Sequence, residues 1–298
     1  MARIVRDPLV ADYIVEQEID SDTNVAEVRR LYEEGYLVLL RGVHFELDYA
    51  FLNTIDFDVP GPLDVLHKVK KYTGQKFLAM NPQSTGVVES FIFQNIFGSD
   101  AGKLAYFQEQ VRSGNEQSDA LYAKIFPKYV ATRTVHTWRL TETMFENLHW
   151  DVFGIPESFH QVRIFTNLSS SPRLWRVSHH VDDFAESIYD ERGLSQFAGT
   201  KGDDLVRFIN NEILAGKTPC MDHQPKHHIA FEQADVWICE TRLLAHQIYH
   251  GHRAFATMYF SELEAMDRPE LAFEARIERL HQRHGRIGAA QSPVELAR

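Results

Sequence analysis

The run NVAEVRRLYEEGYLVLLRGV, residues 24–43, changes its hydrophobic period halfway along. Val25, Val28, Leu31 and Tyr32 recur at helical spacing, Gly35 interrupts them, and Tyr36 to Leu40 are continuously apolar. This pattern predicts a helix, a glycine stop and a buried strand. In residues 101–129, KLAYFQEQV and SDALYAKIF predict two helices, separated by the breaker RSGN. Beyond Pro127 the character changes, and apolar runs become short and closely spaced: YVATRTVHTWRL, NLHWDVF, HQVRIFTNL, RLWRVSHH, HHIAFEQADVWIC and HRAFATMYF. With turn sequences such as SSSP and GIPE between them, they predict a β sandwich or barrel over about residues 130–260. One helical insertion, GDDLVRFINNEILAG, interrupts the strands and is closed by Gly216. The tail RPELAFEARIERLHQRHG places Phe273, Ile277 and Leu280 on one helical face and ends at Gly285. Such a stripe packs on the core or on a second subunit, so a homo-oligomer formed through this helix is one expectation.

No repeat or low-complexity tract is visible. The expected organisation is a single domain over residues 1–298: a helical and strand part (1–129), a β core (130–260) and a C-terminal helix (261–298). At 298 residues, with 44% hydrophobic, 24% charged and 12% aromatic residues, the chain has the composition of a folded globular protein. The formal net charge of -11 argues against a nucleic-acid backbone as the main partner. Only Cys220 and Cys239 are cysteines, and the opening MARIVRDPLV does not resemble a signal peptide, which together suggest a reducing, cytoplasmic setting. No window approaches a membrane-spanning apolar run. The sequon Asn167-Leu168-Ser169 is read as coincidence.

The chemistry is concentrated in NLHWDVF. Along a strand, residues two apart share a face, so His149 and Asp151 project together while Trp150 turns away into the core, as Trp175 and Trp237 are also expected to do. An imidazole and a carboxylate on one face are two of the three ligands of a 2-His-1-carboxylate triad, which suits Fe(II) and leaves positions open. The third donor is sought in ADVWICETRLLAHQIYHGHRAF, where His246 starts a predicted hairpin returning at Arg253 and His250 is the runner-up. His246 and His250 would also suit zinc on a helix, but the glutamate of that motif is absent and Gly251 argues for a turn. A metal with a guanidinium nearby is the layout that binds an α-keto acid, its far carboxylate paired with arginine.

These motifs resemble the Fe(II)/2-oxoglutarate dioxygenases. More narrowly, IFPKYVATRTVHTWR, LHWDVFGIP, VRIFTNLSSSPRLWRVSHHVDDFA and AHQIYHGHRAF are similar to the Kdo (3-deoxy-octulosonic acid) hydroxylases, over about residues 120–257. The resemblance implies a mainly β fold with flanking helices around a double-stranded β-helix (jelly roll, cupin-like) core. It implies Fe(II) held by His149, Asp151 and His246, 2-oxoglutarate held by Arg253 and by Asn167 and Arg163 of VRIFTNL, and O2 as co-substrate. The implied activity is hydroxylation of a small polar molecule, acidic or sugar-like, with release of succinate and CO2. Arg173 and Arg176 of PRLWR lie on opposite strand faces, so at most one can meet a substrate; His180 and Arg139 are further substrate candidates, with His136 beside the last. His227, His228, His281 and His284 are expected to be solvated. SHHVDD and residues 185–230 depart from the family pattern, as does the C-terminal helix, so the resemblance bears on the chemistry more than on the substrate.

Asp151 points away from the iron halogenases of this fold, which leave the carboxylate position to chloride. The competing readings are a cupin-like metal-dependent isomerase or lyase that ignores 2-oxoglutarate and a metal-free ligand-binding jelly roll. A hydrolase is disfavoured by the lack of G-x-S-x-G, H-E-x-x-H and a phosphate loop.

Overall fold

The computed structural model describes residues 2–70, 72–152, 154, 159–200, 203–214 and 223–285. Eleven strands among these form two sheets: β1 (Arg3–Val5), β2 (Ile14–Glu18), β3 (Leu37–Arg41), β4 (Arg133–Arg139), β5 (Thr143–Met144), β6 (Phe159–Asn167), β7 (Arg173–His180), β8 (His227–Phe231), β9 (Val236–Ile238), β10 (Leu244–Gly251) and β11 (Ala254–Glu262). The five-stranded sheet has the order β1-β8-β7-β10-β5, and the six-stranded sheet the order β2-β3-β9-β6-β11-β4. Only β2 and β3 run parallel. The α-helices are α1 (Asp22–Glu34), α2 (Tyr49–Thr54), α3 (Leu63–Val69), α4 (Gly74–Ala79), α5 (Val87–Phe91), α6 (Ala101–Ile125), α7 (Val181–Ile188), α8 (Asp203–Leu214) and α9 (Phe273–Arg283). None of the described helices is long and apolar enough to cross a membrane.

The helix, glycine, strand reading of residues 24–40 is met. Ser21 caps α1 by accepting from the Asn24 N–H, and Gly35 ends it at φ 94°, a left-handed conformation that favours glycine. A side chain at Gly35 would also strike the ring of His180. The two helices predicted in residues 101–129 are instead one, α6, running through RSGN without a break. Packing explains this. A Cβ on Gly114 would lie 2.8 Å from Trp138 Cζ2, and the next residue, Asn115, accepts a hydrogen bond from Trp138 Nε1 at 3.1 Å. Gly114 is thus a point of close approach between α6 and β4. Ser118 and Tyr122 continue the same face onto β11, through Ser118 Oγ to Thr257 at 3.0 Å and a Tyr122–Tyr259 stack at 3.9 Å.

Two predicted strand connections are also corrected. HHIAFEQADVWIC divides into β8 and β9 in different sheets, breaking near Ala234, whose φ is 67°. His246 and Arg253 do not flank a hairpin, because β10 and β11 likewise belong to different sheets and the chain crosses between them after Gly251. Switching sheets at each corner makes the two sheets face each other. Aromatic rings fill one end of the space between them: Phe231 stacks on Trp237 at 3.7 Å, and Phe165 on the same indole at 5.4 Å.

Helices α7, α8 and α9 form a separate apolar cluster with Trp150. Phe273, Ile277 and Leu280 are all buried there, so the stripe of α9 packs within its own chain, the first of the two alternatives. His281 is buried as well and meets Tyr189, and buried His227 accepts from the Asp7 N–H at 3.0 Å; neither is solvated as expected. Gly216, expected to close α8, lies outside the described residues.

The Gly114 contact predicts that Gly114→Val will destabilise the protein by about 1–3 kcal/mol despite the better helix propensity of any β-carbon, because the added atoms overpack Trp138. Urea unfolding of the two proteins measures it.

Candidate metal centre and cavity

Residues 147–152 of NLHWDVF do not form a strand. His149 makes a single antiparallel bridge to His246, its N–H donating to the His246 carbonyl at 3.0 Å and its carbonyl accepting at 2.9 Å. The Asp151 N–H then donates to the Thr241 carbonyl at 3.0 Å. On the other edge, the Asn210 side chain of α8 takes the part of a neighbouring strand: Oδ1 accepts from the Trp150 N–H and Nδ2 donates to the Trp150 carbonyl, both at 2.8 Å. The predicted alternation survives without the predicted strand, and Trp150 is buried against Phe184.

His149, Asp151 and His246 converge, with one potential ligand atom from each lying within 4.8 Å of the others. His149 Nε2 is 3.2 Å from Asp151 Oδ1, and His246 Nε2 is 3.8 Å from Oδ2. Each imidazole has its other nitrogen at a backbone carbonyl, His149 Nδ1 at Asn147 (2.6 Å) and His246 Nδ1 at Leu244 (3.2 Å). A carbonyl only accepts, so these contacts place the proton on Nδ1 and leave the Nε2 lone pair for a cation. Burial lowers the His246 pKa to about 3, which keeps that ring neutral at physiological pH. Burial would raise the Asp151 pKa, but the Arg163 guanidinium beside it opposes this and holds the carboxyl ionised. Two imidazole nitrogens and one anionic oxygen fit the donor set of a divalent transition metal.

The three groups lie in a cavity of about 660 Å³ between the sheets. Its walls follow strand alternation, with pairs two residues apart from five strands: Thr137 and Arg139, Arg163 and Phe165, Arg173 and Trp175, His246 and Ile248, Ala254 and Ala256. The Trp175 ring stacks on His246 at 5.3 Å, fixing the imidazole from its other side. Arg163 is paired with Asp151, and Arg139 with Glu146 at 2.6 Å. Arg173 is different. It is 2% exposed, and its Nη1 has no hydrogen-bond partner among the described residues. Burial, helped by nearby Arg139, pushes its pKa down to about 9, so it still carries charge at neutral pH.

Of the other expected residues, Arg253 does not line the cavity; its guanidinium donates to the Ile55 carbonyl, Nη2 at 2.7 Å. Asn167 is buried and braces the turn after β6, Nδ2 donating to the Ser171 and Phe231 carbonyls at 3.0 Å. Arg176 lies on the other face of β7 from Arg173, 3.7 Å over the Tyr249 ring. His180 caps α7 by accepting from the Asp182 N–H at 3.2 Å. His250 is not in the metal centre but beside Glu142 and His252, and His136 meets Asp119 at 3.0 Å.

Sequence reading missed Asn210, Asn211 and Leu214 of α8, which line the cavity, and buried Glu240. An asparagine pair inside a helix was the available signal, since asparagine favours caps and turns over helix interiors. Glu240 accepts from Gln161 Nε2 and the Arg242 N–H, both at 2.8 Å. Burial raises its pKa to about 7.

No family model and no curated protein matches the sequence. Solved structures do. The chain is similar to a Kdo hydroxylase, KdoO, a non-heme Fe(II) alphaketoglutarate dependent dioxygenase, in its complex with cobalt(II): TM-score 0.65 at 16% identity, covering 91% of this chain and 96% of that one. The complex of KdoO with alphaketoglutarate and Fe(III) matches at TM-score 0.62 and 14% identity, over 90% and 96% of the two chains. Its complex with succinate and Fe(III) matches at 0.58 and 15%, over 91% and 96%. The fold is therefore shared with that hydroxylase, as the motifs suggested.

Two outcomes follow from this geometry. Asn210→Ala should leave the protein folded but weaken Co(II) binding roughly 10- to 100-fold, the usual effect of losing a group that orients ligands; absorbance titration reads it. Glu240 is protonated more readily folded than unfolded, so stability should fall as pH rises from its ordinary carboxyl range through about 7. That slope, worth roughly 3 kcal/mol at most, should flatten in Glu240→Gln when unfolding is followed across pH.

Proposed function

We propose that this chain is an Fe(II)/2-oxoglutarate-dependent oxygenase, built on a double-stranded β-helix, that hydroxylates a C–H bond of a small polar molecule. The observation that carries the reading is one cavity holding both the His149, Asp151 and His246 cluster and a buried arginine, Arg173, whose Nη1 has no hydrogen-bond partner among the described residues. A desolvated cation calls for an anion, and a carboxylate is the planar partner its guanidinium fits. Arg173 therefore takes the clamp role expected of Arg253, while Asn167 is structural.

Iron with 2-oxoglutarate, when bound here, would supply the oxidising power, O2 being shared between the conversion of 2-oxoglutarate to succinate and CO2 and the hydroxylation of the substrate. The residues of this chain bind and orient. His149, Asp151 and His246 would hold the iron, and Arg163 keeps Asp151 anionic. Arg173 would receive the far carboxylate of 2-oxoglutarate. Phe165, Trp175 and Ile248 exclude water from the walls, and the small Ala254 and Ala256 leave room for ligand. Arg139, Glu146, Asn147 and Asn211 offer the polar lining that a sugar acid or a similar hydroxyl-rich, acidic substrate would meet. Cys239 is a buried free thiol, which fits a reducing, cytoplasmic setting.

Anaerobic addition of Fe(II) and then 2-oxoglutarate to the apoprotein should produce the visible charge-transfer band of the chelate. Asp151→Ala should abolish it. Arg173→Gln should weaken 2-oxoglutarate about 100-fold or more, as expected when a buried charged pair is broken, while iron binds within a few-fold of the parent; Arg253→Gln should change little. A parent protein that gives no band sinks the oxygenase reading. Loss of 2-oxoglutarate in Arg253→Gln with retention in Arg173→Gln would sink the clamp assignment alone.

A further inference from the structure

We propose a second metal site, formed by Glu142, His250 and His252, that binds a borderline divalent cation such as Zn(II). The three side chains offer ligand atoms within 4.8 Å of one another and share none with the first centre. His250 Nε2 is 3.1 Å from Glu142 Oε1, His252 Nε2 is 3.9 Å from the same oxygen, and the imidazole centroids are 5.1 Å apart.

Register explains the convergence. Strand β5 pairs with β10 through His250 opposite Met144 and Gly251 opposite Thr143. Continuing that antiparallel pairing by one step sets Glu142 opposite His252. His250 and His252, on either side of Gly251, both bring Nε2 toward Glu142 Oε1. An H-x-H pair at the end of β10 is thus faced by a carboxylate from the residue that precedes β5.

The backbone around the site is held. The Glu142 N–H donates to both carboxylate oxygens of Asp58, at 3.1 and 2.9 Å. Gly251, between the two histidines, lies so close under Arg173 that a Cβ would come within 2.8 Å of Arg173 Cγ. The three side chains remain 31–39% exposed, open to an ion from solvent. Two imidazoles and one carboxylate form the three-ligand set that zinc completes with water, and the softer nitrogen donors disfavour Mg(II) and Ca(II).

The test is stoichiometry. Chelator-stripped full-length protein is titrated with Zn(II) alone by calorimetry, and with Co(II) by visible absorption. His250→Ala/His252→Ala should bind one equivalent fewer than the parent, whatever number the parent binds, so the result does not depend on the first centre. Glu142→Gln should weaken that equivalent at least tenfold while circular dichroism stays unchanged. Equal stoichiometry in the parent and the double variant would overturn the site, leaving these residues as a solvated ion-pair cluster.

Discussion

The reciprocal backbone pair between His149 and His246 is the constraint on which the site rests. Two candidate ligands from distant parts of the chain are set side by side by two hydrogen bonds of 3.0 and 2.9 Å between peptide groups, independent of any metal. With His149 held opposite His246, the position of Asp151 follows from strand-like alternation and its own bond to the Thr241 carbonyl. A centre that depended on its ion for assembly would need flexible side chains to find one another. Here peptide hydrogen bonding and the Nδ1 contacts orient both rings beforehand, so less ordering entropy is lost when a cation binds.

What was legible in the sequence is what depends on parity and period. The two-residue spacing of His149 and Asp151, the stop at Gly35, and the opposite faces of Arg173 and Arg176 are local, and all are present in the structure. Which face of β7 looks inward is not local, because it depends on the pairing of His246 with Val177 across the sheet. Arg253 failed as a cavity residue because it sits at the corner where the chain leaves one sheet for the other, and alternation does not carry across such a corner. Asn167 lies where β6 ends, and a strand end needs side-chain partners for the backbone of the turn that follows. RSGN misled because a glycine that breaks an isolated helix can equally be the one residue that lets α6 meet Trp138.

Charge within the cavity is selective although the chain as a whole carries a net charge of -11. Arg163 faces Asp151 and Arg139 faces Glu146, so these pairs nearly cancel. Arg173 Nη1 has no hydrogen-bond partner among the described residues. An anion placed beside Arg173 would be attracted there while the net charge of the chain repels it at long range, a repulsion that salt screens over about 10 Å. Recognition must then depend on short-range pairing, where a bidentate carboxylate gains most over a single negative point charge.

Helix α8 links the two parts of the site. Asn210 holds the Trp150 peptide between the two ligands, while Asn211 and Leu214 line the cavity within the next turn. A molecule that presses on this face of the helix presses on the brace of the HxD segment as well. The same element thus lines the cavity and braces two of the three candidate ligands, so the cavity wall and the cluster are mechanically connected through one asparagine. This also accounts for how an irregular HxD segment keeps strand alternation: the missing neighbour strand is replaced by one amide side chain, whose donor and acceptor match a peptide group and whose helix is anchored by burial of Leu205, Val206, Ile209 and Ile213.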